Sequence, residues 1–146
     1  MAKAFSIEDG NLATTSLVGS SAVKYKDIDL SFTAKKSGDL YNKTDAAAVK
    51  QAVKNLLLTN LSEKPFQPFF GGNLNDFIFS LDQEFDELDV KERIQNVIEN
   101  YEPRALTRRV DVNIDGSYNK VDITVIFQVI STNELVELNV SLARLR

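Results

Sequence analysis

Residues 89–114 read DVKERIQNVIENYEPRALTRRVDVNI, and a change of period inside this stretch decides the fold. In its first half Val90, Ile94, Val97, Ile98 and Tyr101 recur at helical spacing, with Asp89 placed to cap the start. In its second half Val110, Val112 and Ile114 alternate with Arg109, Asp111 and Asn113, the period of a half-buried strand. Pro103 stands at the switch. It disfavours the helical conformation for Glu102 and brings no backbone donor, so the helix ends about there. The turn Tyr101-Glu102-Pro103-Arg104 thus sets a carboxylate and a guanidinium beside a rigid residue, where both can point outward. On local chemistry alone this is a helix terminus with a surface ion pair, worth about 0–1 kcal/mol.

Downstream, everything reads as strand. Residues 115–119 form a hairpin loop around Gly116, and Val121, Ile123, Val125, Phe127 and Val129 alternate along a second strand. Ser131-Thr132-Asn133 turns the chain again, and Val136, Leu138, Val140 and Leu142 alternate along a third. Upstream, residues 82–86 are an acidic link, preceded by a short stripe of Leu74, Phe77, Ile78 and Leu81 that Asn73 could cap. Apolar periodicity of this kind is first a folding signal, so the stripe reads as core.

Residues 61–72 break all periodicity. They hold Pro65 and Pro68, then Phe69, Phe70 and the paired Gly71 and Gly72. Phe66 and Phe70 are expected to plug apolar gaps, and the glycines permit positive φ or close backbone approach. Before this loop, Val49, Ala52, Val53 and Leu56 define a helix over residues 45–58, capped by Thr44 or Asp45 and favoured by Ala46, Ala47 and Ala48. A turn around Gly38 leads into it from an alternating segment, with Ile28, Leu30 and Phe32 on one side and Asp27, Asp29 and Ser31 on the other. That segment reads as a short strand or as an extended stretch across the core. Residues 1–21 lack any period and read as an arm, extended or disordered.

The expected class is α+β: two or three helices packed on a small antiparallel C-terminal meander, in one domain over residues 22–146. The meander positions Val110, Val112, Val121, Ile123, Val125, Phe127, Val136, Leu138 and Val140 should be buried against the helices at 45–58 and 89–101. Composition narrows the function. A 146-residue chain with 43% hydrophobic and 26% charged residues can bury a real core. A net charge of −4 gives no support for nucleic-acid or anionic-membrane binding. Cysteine and histidine are absent, which removes disulfides, thiol nucleophiles, the usual zinc sites and the commonest general base. No apolar run approaches the roughly 18 residues of a membrane span, and the start lacks a signal-peptide core.

Three short motifs occur in order: Tyr25-Lys26-Asp27-Ile28-Asp29, Pro68-Phe69-Phe70-Gly71 and Glu102-Pro103-Arg104. Together with the helix–strand framework they resemble the lysozyme-like baseplate wedge proteins of contractile-tailed bacteriophages, a family with relatives in type VI secretion and other contractile injection systems. The resemblance covers about residues 25–146. One position departs from it. Where relatives often read Gly-Glu-Arg before the proline loop, this chain has Ser62-Glu63-Lys64, and Lys cannot present the bidentate fork of Arg.

The resemblance implies a structural protein of the virion tail baseplate, assembled in the host cytoplasm in several copies, about six, with no cofactor. Its partners would be other wedge subunits, the tail sheath protein and the tail tube. Glu102, Pro103 and Arg104 would dock on a helical core bundle of other wedge subunits, and Pro65, Pro68, Phe70 and Gly71 would make a structural loop. The terminal strand, with Val136, Leu138, Val140 and Leu142, would pair with the sheath and start its assembly. The competing class is a peptidoglycan-cleaving glycoside hydrolase. It needs two carboxyl groups about 5–10 Å apart across a cleft, one of them with a raised pKa. Glu99 with Glu102, or the cluster Glu84, Asp86 and Glu87, are its candidates, but tryptophan is absent and most of these carboxylates read as a solvated face.

Overall fold

The computed structural model describes residues 25–79, 87–115 and 120–143. A small hairpin comes first: β1 (Lys26–Ile28) runs antiparallel to β2 (Asn42–Thr44), with Lys26 opposite Thr44 and Ile28 opposite Asn42. Gly38 turns the chain between them at φ +84°, donating to the Lys35 carbonyl at 2.9 Å. Helices α1 (Ala46–Leu58), α2 (Leu74–Phe79) and α3 (Glu87–Tyr101) follow. The chain closes with β3 (Ala105–Asp115), β4 (Lys120–Val129) and β5 (Leu135–Ala143), an antiparallel sheet in the order β3-β4-β5. The α+β class is therefore as expected from the patterning.

The core forms where α1 and α3 meet one face of the sheet. Val49, Val53 and Leu57 come from α1, and Val90, Ile94 and Ile98 from α3. Val121, Ile123, Val125, Phe127 and Val129 all point inward from β4, whose residues alternate buried and half-buried along its whole length. Full burial of side chains such as Phe127, Ile94 and Ile98 contributes about 1.5–3 kcal/mol each. Of the expected meander core, Val110 and Val136 are half-buried and the other seven positions are buried.

Several local expectations are corrected. Helix α3 starts at Glu87, so Asp89 lies in its first turn rather than at its cap, where its charge still favours the helix dipole. Asp45 precedes α1, but its carboxylate makes no capping bond. It accepts instead from the Tyr25 amide at 3.2 Å, while the Asp45 amide donates to the Tyr25 carbonyl at 2.8 Å, locking the hairpin to the helix. On α1, Ala52 is only half-buried while Ala48, Gln51 and Leu57 are buried. Ile28, Leu30 and Phe32 are exposed rather than laid on the core. The reason is Gln51, a buried amide that donates to the Ile28 carbonyl at 2.8 Å and accepts from the Leu30 amide at 3.4 Å. It holds this segment by its backbone, which leaves the side chains outside.

Strand β3 begins five residues before the first alternating valine, at Ala105. Its register with β4 shifts between Thr107 and Arg109, so Arg108 is an extra residue. The bulge moves the inward set from odd positions, Ala105 and Thr107, to even ones, Val110, Val112 and Ile114. Phe77 and Ile78 fall on α2. Leu81, the arm at 1–21, the acidic link at 82–86 and the hairpin positions 116–119 lie outside the described residues.

Candidate functional site

The turn after α3 is fixed at both ends. The Glu102 amide donates to the Ile98 carbonyl at 2.8 Å and closes the helix. The Ala105 amide donates to the Glu102 carbonyl at 3.0 Å, and the Ile130 amide to the Arg104 carbonyl at 3.0 Å, tying the turn to the far end of β4. Pro103 is exposed. The expectation that both charges point outward is corrected: Glu102 is only 6% exposed. Its two oxygens accept Arg104 Nε at 2.5 Å and Nη2 at 2.6 Å, a bidentate pair. Arg104 remains half-exposed, and among the described residues its Nη1 has no partner. The hydrogen bonds to Glu102 hold the guanidinium above its ordinary pKa, with burial opposing them. The guanidinium carbon lies 5.1 Å from the centre of the Tyr25 ring, within cation–π range.

The proline loop reaches the same corner. Tyr101, the last residue of α3, donates its hydroxyl to the Phe69 carbonyl at 2.9 Å and packs edge-on against Phe70 at 5.3 Å. Lys64, the position that departs from the family, sets its ammonium 3.9 Å above the Phe70 ring. That contact needs only a point charge, which Lys supplies. Glu63 accepts from the Asn60 amide and from its side chain, both at 2.8 Å, and these bonds pull its carboxyl below the ordinary range. The Ser62 amide donates to the Pro68 carbonyl at 2.9 Å, and Arg93 Nε to the Gly72 carbonyl at 3.2 Å.

Gly71 is at φ +124°, and a Cβ there would collide with the Thr59 carbonyl oxygen. Asn73 is buried and precedes α2, but its side-chain amide donates to Asp76 across the first turn. Phe70 is half-buried as a plug should be, whereas Phe66 is fully exposed at φ +64°, against expectation. The backbone bonds that close the loop leave this side chain outside it, without an apolar partner among the described residues. Pro65, Pro68 and Phe69 are also exposed.

The structure thus brings two of the three motifs to the end of α3, and the Tyr25 ring brings the third. The Tyr25–Arg104 and Tyr101–Phe69 contacts span tens of residues and carry no local signal, so no sequence pattern anticipated them. The strand positions stand apart. Leu138 and Val140 are buried and Val136 and Leu142 half-buried on the core side of β5, which is an edge of its sheet. For the hydrolase reading, Glu102 is committed to Arg104, Glu99 accepts from Gln95 at 3.1 Å, and Glu87 lies 3.5 Å from Lys91. Glu84 and Asp86 lie outside the described residues. Among the described residues, the carboxyls with a resolved shift, Asp29, Glu63 and Asp122, all move down, opposite to what a general acid needs.

Residues 43–134 match the family described as baseplate wedge protein gp25. Over 105 residues the chain is 27% identical to baseplate wedge protein gp25 of Enterobacteria phage T4, covering 72% of this chain and 76% of that protein. Two solved structures share the fold. A Geobacter sulfurreducens protein that carries the label tail lysozyme has a TM-score of 0.57 at 19% identity, over 67% of this chain and 89% of that one. A chain of the anti-feeding prophage baseplate has a TM-score of 0.56 at 22% identity, over 82% and 86%. The family match spans more than half of the sequence and takes in the proline loop and the Glu-Pro-Arg turn. The chain therefore belongs to the baseplate wedge protein gp25 family and is a structural component of the contractile virion tail baseplate.

Proposed function

We propose that the chain docks on a helical core bundle of other wedge subunits through the corner at the end of α3, and that its C-terminal strand pairs with the first sheath subunits. One observation carries the docking: the exposed Pro103 and half-exposed Arg104 stand on a turn tied to α3 and to the end of β4, and the backbone of the exposed Phe69 is tied to the same helix end through the Tyr101 hydroxyl. The charge available to a partner belongs to Arg104, because Glu102 orients it from beneath. A partner carboxylate would meet Nη1, while Pro103 and Phe69 supply rigid apolar area at little entropic cost. Strand pairing is supported by the position of β5 at the sheet edge, where no other strand among the described residues takes up its outer main-chain groups.

The test is co-purification with the bundle-forming wedge subunits, using wild type and the Pro103→Ala/Phe69→Ser double variant. Both side chains are exposed, so the unfolding midpoint should fall only by what Pro103→Ala loses in backbone restraint, about 1 kcal/mol, while binding is lost. Undiminished binding by the double variant would overturn docking at this corner.

A further inference from the structure

Of the three motifs, Tyr25-Lys26-Asp27-Ile28-Asp29 alone lies outside the turn and the loop of the docking corner. Its first ring nevertheless meets that corner, with the Arg104 guanidinium carbon 5.1 Å from the Tyr25 ring centre. The rest of the motif is tied to α1 and β2. Gln51 Nε2 donates to the Ile28 carbonyl at 2.8 Å and to Asp27 Oδ2 at 3.4 Å, and Asp29 pairs with Lys43 at 3.2 Å.

Asp45 holds Tyr25 itself. It stands at φ +48° and ψ −117°, outside the conformations that L residues ordinarily adopt. Such strain persists only where the surroundings enforce it. An aspartate directly before a helix ordinarily accepts from the first-turn amides, and here that bond is absent. Both polar ends of Asp45 meet Tyr25 instead: Oδ1 accepts from the Tyr25 amide at 3.2 Å, and the Asp45 amide donates to the Tyr25 carbonyl at 2.8 Å. Two bonds running in opposite directions fix the backbone from which the ring projects. Glu102 holds the guanidinium by Nε and Nη2, the ring adds a second support, and Nη1 has no partner among the described residues. A cation over a ring is held more strongly once water is excluded, so this contact stabilises a covered corner more than an open one.

We propose that the β1–β2 hairpin is a brace for the docking corner: latched at Asp45, it holds the Tyr25 ring against Arg104, so that Nη1 meets a partner carboxylate with little freedom left to lose. Tyr25 is thus a positioning residue that acts through Arg104. The inference rests on docking at this corner and adds to it the role of the first motif.

The experiment titrates the purified bundle-forming wedge subunits against wild type, Tyr25→Leu, Tyr25→Phe, Asp45→Gly and the Pro103→Ala/Phe69→Ser variant, beside thermal unfolding of each alone. Tyr25→Leu keeps an apolar side chain on the core but loses the ring, and should bind about tenfold more weakly. Tyr25→Phe keeps the ring and should bind like wild type. Asp45→Gly relieves the positive φ and cuts the carboxylate bond. Its unfolding midpoint should stay close to wild type, while binding weakens by at least about threefold. Binding losses that follow the unfolding midpoints, or equal losses in Tyr25→Phe and Tyr25→Leu, would overturn the brace. Wild-type binding by Tyr25→Leu with loss in the Pro103→Ala/Phe69→Ser variant would overturn the brace and leave docking standing. Wild-type binding by both would overturn docking at this corner, and the brace with it.

Discussion

Arg104 grips Glu102 from two residues away, Nε to Oε1 at 2.5 Å and Nη2 to Oε2 at 2.6 Å, with the carboxylate buried and the guanidinium half-exposed. Pro103 between them fixes the backbone that makes this geometry possible. The pair is thus internal to the fold as well as part of the proposed docking surface. Arg104→Ala strands a buried carboxylate and should destabilise the free protein by about 2–3 kcal/mol, below the full cost of a deeply buried pair because Arg104 reaches solvent. Arg104→Lys keeps a charge but only one good bond, and should fall between. Urea unfolding of both variants, with Glu102→Gln/Arg104→Ala to relieve the stranded charge, measures this. A midpoint for Arg104→Ala equal to wild type would show that the pair contributes nothing to the fold.

Gly71 and Gly72 close the proline loop onto α1. A Cβ at Gly72 would lie 2.7 Å from the Leu57 carbonyl oxygen, and Gly71 adds a positive φ to a collision with Thr59. Each Gly→Ala change should cost about 2–4 kcal/mol, because the obstacles are backbone atoms that cannot step aside. Gly38, also at positive φ but with open space around its Cβ position, is the comparison. Gly38→Ala should cost about 1 kcal/mol. Equal midpoint shifts at all three positions would refute the steric argument.

Phe127 is fully buried on the middle strand, opposite Val136 on β5 and Thr107 on β3. Phe127→Ala should destabilise the protein by about 3–5 kcal/mol. Chemical denaturation measures it directly, and an unchanged midpoint would displace the core from this sheet.

The sheet was the most legible part of the chain because β4 is buried on one face along its whole length, so period two survives from Val121 to Val129. The start of β3 was hidden by the bulge at Arg108, which reverses the phase of alternation and so mimics a strand boundary. The start of α1 was legible at Asp45, but its capping bond was not, because the Tyr25 amide recruits the carboxylate from 20 residues away. At the docking corner the turn itself could be read from Pro103. The burial of Glu102 could not, since it depends on packing by residues far away in sequence. Phe66 misled for the same reason: an aromatic residue between two prolines reads as a plug, and nothing local says that the loop turns it outward.

Glu63 ties the loop through Asn60, and its carboxyl is held below its ordinary value of 4.5, first by the Asn60 backbone bond and then by the side-chain bond. A carboxyl lowered by folding stabilises the folded form above its unfolded value, and that contribution is lost as pH falls through the lower, folded value. Exchange of the Asn60 amide, corrected for intrinsic rate, should therefore accelerate below pH 4.5 in wild type. In Glu63→Gln it should be fast at every pH. Equal protection in the two proteins would remove this carboxylate from the description of the loop.

Phe66 gives the sharpest separation of folding from docking. Its side chain is fully exposed, and its φ of +64° is one that L residues adopt at a cost. Among the described residues no side-chain contact of Phe66 repays that cost, so Phe66→Gly should leave stability unchanged or raise it by up to about 1 kcal/mol, the relief of φ offset by added freedom in the unfolded chain. Phe66→Ser removes the aromatic surface and keeps the strain, and should leave the unfolding midpoint where it was. The loop stands on α3 through Tyr101 and Arg93, so its orientation survives either change. If the exposed aromatic ring enters an apolar pocket on the core bundle, both variants should bind the other wedge subunits at least about tenfold more weakly while folding as well as wild type. Titration of each variant against the purified bundle, beside thermal unfolding of each alone, reads the two quantities independently. Full affinity in both variants would remove Phe66 from the interface and leave Pro103, Arg104 and Phe69 as its extent.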